Sequence, residues 1–465
     1  PDADERGRQH AADVMRSLAG VAASAKLIEL PGAKDAAEWI GKGGTLDALV
    51  ALAEREAANP GPRVEAMTLA RVHEVFGKWL HLPDPGVVTV TVGAVAANRV
   101  DGDPVWPLLI GPPASGKTEI LDSLLSLPNM HPAGTLSEAA LLSGSPNREK
   151  AADASGGLLR AIGKFGFIVC KDFTSVLSMS REIRTPLLAA LREIYDGHWV
   201  RHIGTDGGRT LEWSGKAMLI GGCTPIIDQH HAVTAAMGER FILCRLPDIR
   251  PQVQARQALS HVGKETAMRR ELREAVQGLF TAFEPAEFVL DDVASERLSA
   301  LATLVARCRS AVERDGYKRE VELIPGSELP ARLVLSLARL FHGMKMLGTP
   351  PAECWRLVIK VALDCVPDVR RRVFGFLRPR DVASTTTDIG LGINYPTSTA
   401  RRALEDLAAH GVVTRHGRGP GRPDEWELSL FSCQLVNAAG IPGITIPEMS
   451  EKVTEGAFSE TSGGE

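Results

Sequence analysis

The sequence predicts an α/β protein: a parallel sheet core with a helical lid region behind it, flanked by two small units. Three observations predict this. Short apolar runs at 105–110, 166–171, 217–223 and 242–247 alternate with helical patterns between residues 104 and 248, as in a parallel sheet with crossover helices. From 251 to 377 the pattern becomes almost wholly helical. Residues 381–431 then read as helices followed by a basic, glycine-rich hairpin.

The first run leads into a motif, Gly111-Pro112-Pro113-Ala114-Ser115-Gly116-Lys117-Thr118. Its spacing, G-x-x-x-x-G-K-T, is that of a P-loop. After the strand, a loop turns backbone N–H groups inward as an anion nest, and Gly116 lets the main chain come close to phosphate. Lys117 is placed to reach β/γ-phosphates and Thr118 to ligate Mg²⁺. The following EILDSLLSL has helical spacing, so a helix N-terminus adds positive potential. ATP and Mg²⁺ are the expected ligands of these eight residues. The alternative is a Gly/Pro-rich turn.

Composition sets bounds. A chain of 465 residues holds two to four domains. Hydrophobic and charged contents of 44% and 24% are those of an ordinary globular protein. At a net charge of −4, nucleic-acid binding has to come from a local patch. No apolar run has transmembrane length and no signal peptide is visible, so a cytoplasmic protein without membrane contact is expected. Seven cysteines, scattered singly in mostly apolar stretches, read as small buried hydrophobes in a reducing compartment. The chain opens inside what looks like a motif, so the natural protein is expected to start earlier.

Along the chain, residues 1–58 alternate helix and strand signals: a helix near 6–19, a strand at 26–30 and a helix near 45–57. Residues 58–63 (ANPGPR) read as a linker, and 64–103 as apolar with helical character. The ATPase core with these leading helices would span 64–250, with the helical lid at 251–377. From Gly440 to 465 the chain is rich in Gly, Ser, Thr and Glu and is expected to be disordered.

Asp172 closes the second strand, where the sheet edge would meet a nucleotide. It is the candidate Mg²⁺ partner, unless it only caps the next helix. Phe173 stands where many ATPases carry a catalytic Glu, so the base is unassigned between Glu182 and Glu193. Residues 199–213 read as a hairpin around Asp-Gly-Gly.

This order (P-loop, acidic strand end, helix, hairpin, a strand ending before Pro225, then Arg240-Phe241) resembles the AAA+ ATPases, and within them the hairpin-bearing branch with the minichromosome-maintenance helicases. The resemblance puts Thr224 at sensor 1, where that family usually has Asn. It makes Arg240 an arginine finger acting on a neighbouring copy's nucleotide, a role that suits a guanidinium at the γ-phosphate. A surface ion pair is the other reading of Arg240. Arg332, at the start of an amphipathic helix, falls at sensor 2, or is simply exposed. Arg201 and Arg209 on the hairpin would touch DNA phosphates in a central channel, or the hairpin is a plain solvated one.

Residues 1–58 resemble the C-terminal half of a toprim domain. Asp2 and Asp4 match its D-x-D and would hold Mg²⁺ only with the Glu of the missing half. Residues 381–431 read as a winged helix. Ala400, Ala403, Leu404 and Leu407 form the core face of its second helix, Arg401 and Arg402 lie opposite, and Arg415, Arg418 and Arg422 mark a basic wing. Such units bind DNA or protein, and the local positive charge favours DNA here.

Together the parts resemble the primase–helicase type of replication protein of phages and mobile elements. The expectation is an ATP-dependent, Mg²⁺-requiring DNA helicase or remodelling motor. It would work on single-stranded or duplex DNA as a homo-oligomeric ring, a hexamer being one arrangement. A nucleotide-gated DNA-binding initiator or loader with little turnover is the alternative. A small-molecule kinase would leave the C-terminal unit unexplained.

Overall fold

The computed structural model describes residues 11, 14, 28, 30, 33–58, 64–143, 156–204, 208–230, 240–317, 319–380, 382–419 and 422–443. Asp2, Asp4, nearly all of the toprim-like segment before residue 33 and residues 444–465 lie outside the described residues. The protein is α/β, with a five-stranded parallel sheet in the order β2-β3-β6-β1-β7. Contacts divide the chain into two units. The first comprises residues 1–224, 246–286 and 344–349, and the second 225–245, 287–343 and 350–465.

In the first unit, α1 (Ala36–Gly41) and α2 (Leu46–Ala58) precede α3 (Leu69–Trp79) and α4 (Gly86–Asn98). Thr68 starts α3 by accepting the Arg71 N–H, and Val72, Phe76 and Trp79 bury one face. Every residue of α4, GVVTVTVGAVAAN, is buried. That all-round burial overrides the β preference of its valines and threonines. Asn98 ties the end of α4 to the next strand: its Nδ2 donates to Val105 O at 3.0 Å, and its Oδ1 accepts from Val105 N at 2.9 Å.

Strand β1 (Trp106–Ile110) is fully buried and gives way at loop 111–116 to α5 (Lys117–Ser123). The chain continues through β2 (Met130–Ala133), α6 (Glu138–Leu141), α7 (Leu158–Ile162), β3 (Phe165–Cys170), α8 (Thr174–Leu177) and α9 (Arg181–Tyr195). A hairpin of β4 (His198–Ile203) and β5 (Arg209–Ser214) follows, with Ile203 opposite Arg209, and then β6 (Lys216–Cys223). β6 lies between β1 and β3, with Cys223 level with Ile110 and Gly221 level with Cys170. The carboxyl ends of β1, β3 and β6 therefore sit side by side, where ligands of such sheets bind. The unit is completed by α10 (Pro251–Ser260) and α11 (Glu265–Thr281). α11 packs on α3 and α5, so residues 251–286 belong with the sheet rather than with the helices that follow them.

The second unit holds β7 (Phe241–Arg245), α12 (Asp292–Arg309), a short hairpin of β8 (Glu313–Arg314) and β9 (Val321–Leu323), and most of α13 (Ala331–Met346). Then come α14 (Pro351–Asp364), α15 (Asp368–Leu377), β10 (Ser384–Thr385), α16 (Thr386–Ile393), α17 (Thr397–Ala409), β11 (Val413–His416), β12 (Glu425–Leu428) and α18 (Leu430–Ala438). The last three strands make an antiparallel sheet in the order β10-β12-β11. α17 buries Ala400, Ala403, Leu404 and Leu407, the face its spacing predicts. α15 packs on both α16 and α17, and α18 packs on α12. This C-terminal bundle thus recruits helices on both sides of residues 381–431.

All seven cysteines are free thiols and six are buried. Burial pushes the Cys170 and Cys308 thiols up to about 12, which makes them inert apolar filling. No helix among the described residues is long and apolar enough to cross a membrane.

Candidate functional site

Loop 111–118 bends sharply because two residues adopt left-handed backbone: Ala114 at φ 60° and Gly116 at φ 88°. Around Gly116, a Cβ would meet nothing nearer than Leu80 Cδ1 at 3.8 Å. The glycine is required by backbone conformation and not by space. Gly116→Ala is therefore expected to cost about 1–2 kcal/mol. Thermal unfolding checks this, and a variant as stable as the parent would show that the loop relaxes.

Lys117 is buried, and its Nζ donates to Gly111 O at 2.7 Å, Pro112 O at 2.7 Å and Ser115 Oγ at 3.1 Å. The loop carbonyls thus fold around the ammonium. Burial lowers the proton affinity of Lys117, while the nearby Cys223 and Asp172 act in the opposite sense. Pro112, Pro113, Ala114 and Thr118 are exposed, whereas Gly111 and Ser115 are buried.

Asp172 is exposed just past β3, and its Oδ1 accepts the Thr174 N–H at 3.0 Å. The capping role is realised, but a carboxylate has further lone pairs on both oxygens. Phe173 turns inward and is fully buried, with its N–H donating to Gly222 O at 2.7 Å. A carboxylate at that position would be driven into the apolar interior, which accounts for phenylalanine there.

Thr174 was not legible as a site residue, yet it joins two strand ends. Its Oγ1 accepts the Thr224 N–H at 3.0 Å and lies 3.4 Å from Thr224 Oγ1 and 3.6 Å from Cys223 Sγ. Because β6 separates β1 from β3, Thr224 falls between loop 111–118 and Asp172.

A cavity of about 370 Å³ opens beside the loop. Ala114, Ser115, Gly116, Lys117, Thr118 and Glu119 form one wall. The opposite wall comes from the ends of α3 and α10 and the start of α11: Trp79, Leu80 and His81; Gln254, Gln257 and His261; Glu265 and Met268. The Trp79 and His261 rings lie 4.7 Å apart at a tilt of 55°. Glu271 accepts from Trp79 Nε1 at 2.8 Å and from Lys78 Nζ at 2.6 Å, fixing the indole. Gln254 Nε2 reaches Ala114 O at 2.5 Å, and Arg269 pairs with Glu119 at 3.0 Å. No sequence motif marks this wall, because residues 79–81 are more than a hundred residues from residues 254–268 in the chain.

The other candidates lie elsewhere. Glu182 sits in the first turn of α9, and Glu193 lines a different cavity together with Glu138, His198 and Trp199. Arg201 Nη1 donates to Leu142 O at 2.5 Å, and Arg209 is half-buried at the turn end of the hairpin, opposite Ile203. In the second unit, Arg240 is buried just before β7, and Arg332 is half-buried in the first turn of α13. Arg401, Arg402, Arg415, Arg418 and Arg422 are all exposed. Three of them face acids of their own unit: Arg401 meets Glu405 at 3.0 Å, Arg415 meets Asp424 at 2.7 Å, and Arg418 meets Glu425. The wing's positive charge is thus locally compensated, by exposed pairs that are individually weak.

No protein-family model matches the chain, and no curated protein matches it. Among solved structures, the A form apo structure of the NrS-1 C terminal region is similar to it over 79% of this chain and 78% of that one. Identity is 10% and the TM-score 0.24. Superposition at that level leaves most of the two backbones apart, so function has to be read from this chain's own residues.

Proposed function

We propose that this chain binds MgATP on residues 111–118 and couples it to DNA as a helicase or remodelling motor, in the replication of a phage or mobile element. The observation that carries this reading is Lys117, a buried ammonium wrapped by its own loop at the carboxyl ends of parallel strands. Phosphate oxygens arriving there would find a desolvated cation at the start of α5.

The residues fit the cofactor. Lys117 would hold the β/γ-phosphates, and Thr118 with Asp172 would hold the metal. Mg²⁺ supplies charge neutralisation on the phosphates when bound. Thr224 would orient a γ-phosphate or a water, with Thr174 holding it. Arg240 would serve the nucleotide of a neighbouring copy in a ring, and Arg332 would act as sensor 2. The helices α15 to α17 with the sheet β10-β12-β11 support a winged helix whose α17 and wing meet DNA. Phosphates could take over the arginines from Glu405, Asp424 and Glu425, since each exposed pair contributes little.

Phe173 favours a second reading. Its burial leaves no carboxylate next to Asp172, as suits a nucleotide-gated initiator or loader with little turnover. An ATPase assay with and without single-stranded and duplex DNA separates the two. The motor reading expects turnover stimulated by DNA. ATP binding without turnover, alongside site-specific duplex binding, would select the initiator. Failure to bind ATP would sink both.

A further inference from the structure

The chain has three tyrosines. Tyr195 is buried and Tyr395 half-buried, whereas Tyr317, at the turn of the β8–β9 hairpin, is 94% exposed. An aromatic ring held this far into water returns little to the fold and leaves its faces open to a partner.

That turn is rigid. The Asp315 carboxylate accepts the backbone N–H groups of Tyr317 and Glu320, both at 2.8 Å, and Asp315 N donates to Glu320 O at 3.0 Å. Arg319 is held in left-handed backbone at φ 61°, a conformation that disfavours a residue with a Cβ, while Arg314 Nη1 donates to its carbonyl at 2.8 Å. The hairpin is also fastened to α17. Arg314 donates to Arg402 O at 3.0 Å, to Glu405 at 3.0 Å and to Asp406 at 2.6 Å. The side chains of Arg319 and Arg402 are exposed. An aromatic ring is thus displayed on a hairpin that is fastened to the helix carrying Arg401 and Arg402.

We propose that Tyr317 is a stacking platform for an unpaired base of DNA, next to the duplex held by α17 and its wing. The inference rests on the DNA reading of the C-terminal bundle and adds a single-strand contact to it. Aromatic faces bind any base, and neighbouring guanidinium groups neutralise the adjacent phosphates. Acids on the buried side of α17, Glu405 and Asp406, are already taken by Arg314 and Arg370, so they do not repel the strand.

The test is binding of the full chain to two labelled DNAs by fluorescence anisotropy, one a blunt duplex and one the same duplex with a single-stranded arm. Tyr317→Ala should weaken binding to the armed DNA by roughly tenfold, the loss of one base–aromatic stack, and leave the blunt duplex unchanged. Tyr317→Phe should keep the parent's preference, because the ring and not the hydroxyl is used. Arg402→Ala should weaken both DNAs and lower the salt slope by about one. If Tyr317→Ala bound the armed DNA like the parent, or lost both DNAs equally, the stacking role would be wrong while the DNA reading stood. A parent chain that bound neither DNA would overturn both.

Discussion

Lys117→Ala is expected to weaken MgATP binding by about 2–4 kcal/mol, roughly 30- to 1,000-fold in Kd, and to remove any turnover with it. The estimate follows from burial. Lys117 is 8% exposed and makes three short contacts to the loop. A phosphate meeting it interacts with a desolvated charge, where a charge-assisted bond is worth most. Lys117→Arg should rescue little, since a planar guanidinium cannot follow Gly111 O, Pro112 O and Ser115 Oγ at once. The variant should still fold, because its loop carbonyls can turn to water. Calorimetric titration with MgATP and a melting curve without nucleotide decide the matter. Unchanged affinity in a folded variant would move the nucleotide away from residues 111–118.

Glu328→Ala is expected to destabilise the second unit by about 3–5 kcal/mol. Arg309 at the end of α12 has a side chain with no exposure, and Glu328 meets it with both oxygens, at 2.7 and 2.8 Å. Removing the carboxylate takes away the two charge-assisted bonds that Glu328 makes to a buried guanidinium. Arg309→Met, which removes the charge itself, should cost much less. Hydrogen exchange over α12 reads the effect locally, which matters because a chain with two units need not unfold in one step. Equal losses in the two variants would mean that packing around Arg309, and not its charge, holds the helix.

Much of this architecture could be read from residue order. The apolar runs that end in Gly111, Asp172 and Thr224 announce buried parallel strands, and the Asp-Gly-Gly segment announces a hairpin. They are legible because burial on both faces demands unbroken apolar sequence and turns demand special residues. The wall of Trp79, Gln254 and His261 was not legible, because helices that meet across a cavity carry no shared spacing. The wing was legible only in part. Its arginines read as one basic patch, but the antiparallel register sets Arg415 across from Trp426 and His416 across from Glu425, and brings the acids of the return strand to the arginines. Charge in a linear segment becomes a field only once pairing is known. The helical stretch from 251 onward was read as one block. α11 instead joins the sheet through α3 and α5, and its amphipathic pattern alone does not name its partner.

Helix α4 has a practical consequence for dissecting the molecule. With all its residues covered and Asn98 locked to Val105, it is an internal strut of the sheet and not a leader to it. A fragment trimmed to begin at the strand before the glycine-rich loop would strip that strut away and bare a wide oily surface. Such a fragment should aggregate on expression, and an inactive preparation of it would say nothing about catalysis. The smallest piece fit for enzymology begins upstream of α3.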